Sequence, residues 1–237
     1  MYNLLAKREF KEFKRHPLID RVSLVPELIR IDGGEHRLYE TLEGNKYPSV
    51  TSVFSVIDKP EIQAWRDSMG HDEADKWTRR AGNKGTILHD MCERYVLNTL
   101  RENQEDYNFI SVNNFLPVKK VIDKVIDNIL AVELKIYSDK LKTAGTVDLI
   151  ADVYKKLAVV DYKTSNQYKY KDQCSTFFMQ GAAYAFMINE LLGTSIEDIL
   201  IIVAVDGGDT IVHHEKVEDH FKEFLKIRVE FKEKFGI

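Results

Sequence analysis

Ala144-Gly145-Thr146-Val147-Asp148-Leu149-Ile150-Ala151-Asp152-Val153-Tyr154-Lys155-Lys156-Leu157-Ala158-Val159-Val160-Asp161-Tyr162-Lys163-Thr164-Ser165 is the stretch on which the fold turns. Val147, Leu149, Ala151 and Val153 alternate with Asp148, Ile150 and Asp152, the period of a strand with one buried face. Tyr154-Lys155-Lys156 reads as a polar turn. Leu157 to Val160 is an apolar returning strand that ends in Asp161-Tyr162-Lys163. Residues two apart share a face of a strand, so Asp161 and Lys163 lie together, and the hairpin can set Asp148 across from them.

Charges at the end of an apolar hairpin need compensation. Two carboxylates about 4 Å apart repel by roughly 4 kcal/mol at an effective dielectric near 20, which calls for a cation or a shared proton. Hard oxygen ligands suit Mg²⁺ or Mn²⁺, and such an ion makes a water a better nucleophile. Lys163 beside it can orient that water or offset charge on a phosphoryl transition state. For a lone D-x-K tripeptide the plain alternative is a surface hairpin with an ordinary salt bridge.

Three further segments accompany the tripeptide. Gly145-x-x-Asp148 followed by Asp161-Tyr162-Lys163 resembles the active-site hairpin of the PD-(D/E)XK nuclease superfamily. Gly85-Thr86-Ile87-Leu88-His89-Asp90-Met91-Cys92-Glu93 is similar to the G-x-x-x-H-x-x-x-E motif of its RecB-like branch, and Gln180-Gly181-Ala182-Ala183-Tyr184 to that branch's Q-x-x-x-Y motif. Tyr47-Pro48-Ser49-Val50-Thr51 resembles the P-S-V-T entry of the phage and mitochondrial exonucleases within it.

The resemblance implies an α/β fold, a mixed central β-sheet flanked by helices (a restriction-endonuclease-like core), with a helical and small β N-terminal extension. It implies a single nuclease domain over residues 1–237, with the extension at 1–83 and the core at 84–237. The implied activity is a divalent-metal-dependent DNA exonuclease that prefers single-stranded ends and serves replication, recombination or genome degradation, with a phage-encoded origin expected. Asp148, Asp161 and His89 would hold Mg²⁺ or Mn²⁺, Glu93 would ligate or support from behind, Lys163 would position the attacking water, and Gln180 and Tyr184 would steady the phosphate. A structure-selective endonuclease with the same site and a non-cleaving DNA-end-binding module are the alternatives.

Composition sets looser bounds. A chain of 237 residues with 44% apolar content can bury a full core. Its net charge of -4 gives no global pull toward nucleic acid, so DNA contacts need local basic patches. Cys92 and Cys174 stand far apart without a C-x-x-C partner, which fits a reducing compartment and no disulfide framework. Some RecB-like relatives carry a four-cysteine iron–sulfur cluster; the ligands for one are lacking here, so no iron–sulfur cluster is expected. No apolar run reaches bilayer length, the first residues turn charged early, and Glu9 and Glu12 break the acid-poor pattern of a presequence. The expectation is a soluble, cytoplasmic protein (host cytoplasm if phage-encoded) with no membrane partner.

Taken in order, Leu4 to Arg15 reads as a short basic amphipathic helix, either a solvated face or a contact to a DNA backbone. Leu28–Ile31, Arg37–Thr41 and Lys46–Tyr47 read as an antiparallel appendage, closed by Pro48. Ser49 or Thr51 is the candidate cap of a helix through Ile57, and both hydroxyls are candidate phosphate contacts. Pro60 to Leu100 is helical, with Trp65 and Trp77 as core or stacking residues and Arg79, Arg80 and Lys84 as candidate phosphate contacts. A helix starting after Gly85 puts His89 and Glu93 on one face. Arg101 to Phe115 reads as a polar loop, Val118 to Ile129 as a helix, and Ala131 to Tyr137 as a strand. In that strand Glu133 is either a surface position or an acidic residue like one that often precedes the superfamily's hairpin. Thr164, Ser165, Tyr168, Lys169, Tyr170 and Lys171 interleave hydroxyls, aromatics and cations suited to a DNA strand. Phe177 to Leu192 is a helix, Leu200–Val205 and Thr210–His214 a second hairpin, and Val217 to Phe235 a terminal amphipathic helix.

Overall fold

The quoted stretch folds back on itself through two residues. In the computed structural model, which describes Leu5 and residues 8–237 with the side chains of 103–105 excepted, β5 (Thr143–Val153) turns at Tyr154-Lys155 into β6 (Lys156–Ser165). Both turn residues have positive φ, 49° and 68°, the conformation that matches the twist of tightly joined strands. On one side β5 pairs antiparallel with β4 (Ile126–Ser138); on the other β6 pairs in parallel with β7 (Asp198–Val205), which pairs antiparallel with β8 (Thr210–Lys216). The result is a mixed five-stranded sheet in the order β4-β5-β6-β7-β8.

Helices cover both faces. α3 (His71–Val96) and α4 (Phe109–Val125) bury Leu88, Met91, Tyr95, Phe115 and Ile122 against Leu149, Val160 and Leu200. α5 (Ser175–Leu192) and α6 (Val217–Phe235) bury Ala183, Met187, Ile188 and Phe224 against Ile150 and Val159. Every residue of β7 is buried, which explains its nearly unbroken apolar run Ile199–Val205. Gly181 lets α5 close on this strand: a Cβ there would lie 2.4 Å from Ile199 Cγ2.

The feature that matters most for function is a fork. The ladder between β5 and β6 stops at Leu149↔Val160. Beyond it, residues 143–147 stay paired with β4 and residues 161–165 stay paired with β7. Asp148 and Asp161 are the first residues past the split on either strand.

The N-terminal part is a three-stranded antiparallel sheet, β1 (Ile29–Ile31), β2 (Leu38–Glu40) and β3 (Lys46–Pro48), followed by the short α1 (Val50–Val53) and α2 (Pro60–Met69). It is fixed to β5 by a bridge between Ser49 and Ala144 and a 3.0 Å hydrogen bond between the Tyr39 and Thr146 hydroxyls.

Four expectations are corrected. Residues 8–15 form no helix, and Leu4, Ala6 and Lys7 lie outside the described residues. Tertiary partners take that backbone: Phe13 exchanges hydrogen bonds with the Asn98 side chain, Ile129 N–H donates to Lys14, and Lys11 Nζ caps the carbonyl end of α4 at Asp123 and Ile126. Gly85 does not start a helix; it lies inside α3, which begins after Gly70 at φ 86°. Much of the expected loop at 101–115 belongs to α4, whose first turn is capped by Asn108 and whose buried face begins at Val112. α4 also ends at Val125, and the next strand starts at Ile126 rather than Ala131.

Candidate active site

The fork leaves the N–H and C=O of Tyr162 without a strand partner, and two side chains take them. Asp148 Oδ2 accepts the Tyr162 N–H at 2.9 Å, and His89 Nε2 lies 2.7 Å from the Tyr162 carbonyl oxygen. A carbonyl can only accept, so Nε2 carries a proton, and in the neutral ring Nδ1 is left with a lone pair for a ligand. Nδ1 sits 3.4 Å from Asp148 Oδ2, an ion pair when the ring is protonated and two facing acceptors, favourably bridged by a cation, when it is neutral. A backbone carbonyl fixing the far nitrogen is how ligating histidines are usually oriented.

Glu133 completes the group. It lies in β4 between the pairs Val132↔Leu149 and Leu134↔Val147, which sets it opposite Asp148, and its φ of 49° marks a local distortion of the strand. One donor atom each from His89, Glu133 and Asp148 falls within a 4.8 Å span. Glu133 opens to water through the concave cleft yet has protein on most sides. Partial burial, followed by the Asp148 charge, pushes its carboxyl up to about 7. The chemistry of the set, two carboxylates and an imidazole, fits a divalent cation.

Asp161 is fully buried on the other arm of the fork. Its Oδ1 accepts from the Gln180 amide at 3.1 Å, and its Oδ2 forms an ion pair with Lys163 that is off the directional geometry of a hydrogen bond. Burial raises its carboxyl; the Lys163 charge opposes that rise and the Asp148 charge adds to it. Gln180 also donates to the Tyr184 hydroxyl at 3.3 Å. The pair expected to steady a phosphate is thus engaged with Asp161 and with itself. Tyr184 explains Gly145: a Cβ on that glycine would sit 2.6 Å from the ring.

His89, Glu133, Asp148, Lys163, Gln180 and Tyr184, but not the fully buried Asp161, line a cleft of about 610 Å³, with Gly85, Thr86, Asp90 and Glu93 of α3 on one wall and Arg30, Arg37, Tyr39, Ser49 and Thr51 of the N-terminal part on the other. Glu93 is one turn from His89, and its charge adds to the rise at Glu133. Ser49 Oγ caps α1 by accepting the Ser52 N–H at 3.0 Å and bonds the Thr51 hydroxyl, so its first role is structural. A second depression of about 420 Å³ runs along the adjacent face of α3, lined by Arg80, Asn83, Lys84, Ile110 and Thr164 among others. Lys84 is ion-paired with Asp206. Arg79, Tyr168 and Lys169 line neither space, and the Ser165 hydroxyl donates to Gln167 O at 2.6 Å. Trp65 and Trp77 are not core; both are exposed, and Arg80 lies 5.8 Å over the Trp77 ring.

Sequence reasoning left Glu133 undecided and passed over Arg30 and Arg37. Counting five residues outward from the Ser138↔Thr143 pair puts Glu133 against Asp148, a signal available to anyone who places that turn. For the arginines no sequence signal exists, because they reach the cleft only through the docking of β1 and β2.

A family model of the PD-(D/E)XK nuclease superfamily matches residues 61–220, more than half of the chain and all of the fork. The chain belongs to this superfamily. Human mitochondrial genome maintenance exonuclease 1 is 26% identical over 185 residues, 73% of this chain and 53% of that protein. The chain therefore spans about half the length of that curated relative. A presumed exonuclease of Eubacterium rectale, known as a crystal structure, is 11% identical with a TM-score of 0.37 over 62% of this chain and 68% of that one. The mixed sheet agrees with that membership, and the donor group found here, His89, Asp148 and Glu133, has Glu133 in place of the expected Asp161.

Proposed function

We propose that this nuclease is a divalent-metal-dependent DNA exonuclease acting on single-stranded ends. The observation that carries the reading is the donor set at the fork, with His89 Nδ1 and Asp148 Oδ2 in contact and Glu133 beside them. His89, Glu133 and Asp148 would hold the cation, with Asp161 facing them from β6 and Glu93 behind His89. A bound Mg²⁺ or Mn²⁺ would neutralise phosphoryl charge and acidify a water. Lys163, held beside Asp161, orients the attacking water. Gln180 and Tyr184 fix the rotamer of Asp161, so the carboxylate does not turn away as charge shifts. Arg80, Lys84 and the half-open depression around them offer a path for the strand along α3, with Tyr168 and Tyr170, rings 5.0 Å apart and exposed, as a stacking surface. The 1–83 extension belongs to the same functional domain on this reading, because it supplies one wall of the cleft.

The deciding assay follows end-labelled linear single strands, a circular strand and a duplex in Mg²⁺ and in Mn²⁺, with Asp148→Ala, Glu133→Gln and Lys163→Ala alongside. Loss of the linear strand alone, abolished by chelation and reduced at least about 10²-fold in each variant, is the expected result. Cutting of the circle would replace the reading with an endonuclease, and binding without cutting would replace it with an end-binding module.

A further inference from the structure

On the wall of the cleft opposite α3, Arg30 of β1 and Arg37, just before β2, share one carboxylate. Arg30 Nε donates to Asp32 Oδ2 at 2.8 Å and Arg37 Nε donates to Asp32 Oδ1 at 3.0 Å. Each guanidinium uses its Nε this way, and among the described residues no hydrogen bond is formed by the Nη groups of either. Both arginines line the cleft that holds His89, Asp148 and Lys163. All three members are largely exposed, so the ion pairs add little to folding stability. What they accomplish is orientation: one carboxylate sets two forks side by side in a cleft whose other charged lining is Asp90, Glu93, Glu133 and Asp148 against Lys163 alone, with His89 beside them.

The wall is not loosely hung. Arg37 O accepts the Ser49 N–H at 2.9 Å, Ser52 Oγ accepts the Arg37 N–H at 3.0 Å, and the bridge from Ser49 to Ala144 joins this segment to β5 four residues before Asp148. The two forks therefore hold a fixed place relative to the fork of the sheet. Planar guanidinium donors match phosphate oxygens, and a single strand that enters an acidic cleft needs cations at its rim.

We propose that Arg30 and Arg37, set by Asp32, form a clamp for a backbone phosphate of single-stranded DNA next to the one that is cut. This rests on the nuclease reading above and names how its substrate is held. Arg30 and Arg37 contact the phosphate through their Nη groups; Asp32 is a positioning residue that touches no DNA.

The test is anisotropy of fluorescein-labelled oligo(dT) of about twelve residues in chelator, titrated at several salt concentrations, for the native chain, Arg30→Ala/Arg37→Ala, Arg30→Lys/Arg37→Lys and Asp32→Ala. The double alanine variant is expected to bind about tenfold more weakly, with a log–log salt slope shallower by about one. The double lysine variant keeps the charge but loses the fork, and is expected to fall between the two. Asp32→Ala removes a negative charge near DNA, so long-range attraction alone would tighten binding; the clamp requires it to weaken, by about threefold. Equal affinity and slope in the double alanine variant, tighter binding by Asp32→Ala, or no binding by the native chain would each overturn the proposal. Melting curves confirm folding of each variant, and if the double alanine variant fails to fold, the lysine variant and Asp32→Ala decide. Cleavage of the same oligonucleotide in Mn²⁺ is followed separately. Binding that depends on the clamp without cleavage would sink the exonuclease reading and leave the clamp standing.

Discussion

Two buried aspartates on neighbouring parallel strands have opposite fates. Asp198 begins β7 and is 4% exposed; Asp161 lies in β6 and is 0% exposed. Asp198 Oδ1 receives Lys216 Nζ at 2.8 Å and His214 Nε2 at 2.9 Å. Burial alone would raise its carboxyl, but those two partners outweigh burial and hold it below the ordinary range. Asp161 has Lys163 and Gln180, yet burial and the neighbouring Asp148 charge win and its carboxyl is raised. The same residue type in the same sheet has its carboxyl lowered where two hydrogen-bonding partners outweigh burial and raised where burial and a second carboxylate outweigh one lysine.

The largest expected effect separates the two on activity and stability together. Asp161→Asn should lower cleavage about 10³-fold or more while raising the melting temperature in chelator by about 2–4 °C, because an acid with a raised folded-state pKa costs stability when ionised. A melting temperature that falls would mean Lys163 compensates Asp161 as fully as Asp198 is compensated, and the contrast would be gone.

Asp198→Asn should do the reverse, costing about 1–3 kcal/mol of unfolding free energy in denaturant titrations with cleavage per folded molecule retained. Loss of cleavage without loss of stability would move Asp198 into the functional set. The smallest effect lies in acid. The folded-state pKa of Asp198 is depressed, so its contribution is fully present above the unfolded value of 3.8 and is lost as pH falls through the lower folded value. Melting curves of the native chain and Asp198→Asn should therefore converge between about pH 5 and about pH 2; a constant gap would locate the stabilisation elsewhere.

Much of this was readable before any coordinates. The hairpin β5–β6 was legible because alternation and two charged strand ends are local signals, and α6 was legible because its apolar stripe and its boundary residues Val217 and Phe235 coincide. What escaped was decided at a distance. Residues 8–15 carry phenylalanines at helical spacing, yet their backbone bonds go to Asn98 and Ile129. The start of α4 was hidden by Asn113, Asn114 and Pro117, although Val112, Phe115, Val118 and Ile122 keep the helical period. At the site, the motif residues His89, Asp148, Asp161 and Lys163 converge, because strand parity and helix spacing place them. Glu133 depends on register across a turn, and Arg30 and Arg37 on docking of a separate sheet.

The unbroken passage of α3 through Gly85 has a mechanical consequence. Arg80 and His89 stand nine residues apart on one rod, about 14 Å along its axis. Inserting one residue between them would swing His89 about 100° around that axis and out of the split between β5 and β6. The distance from Arg80 to the imidazole is therefore set in helical increments rather than by a loop, so the rod acts as a gauge bar between the two side chains.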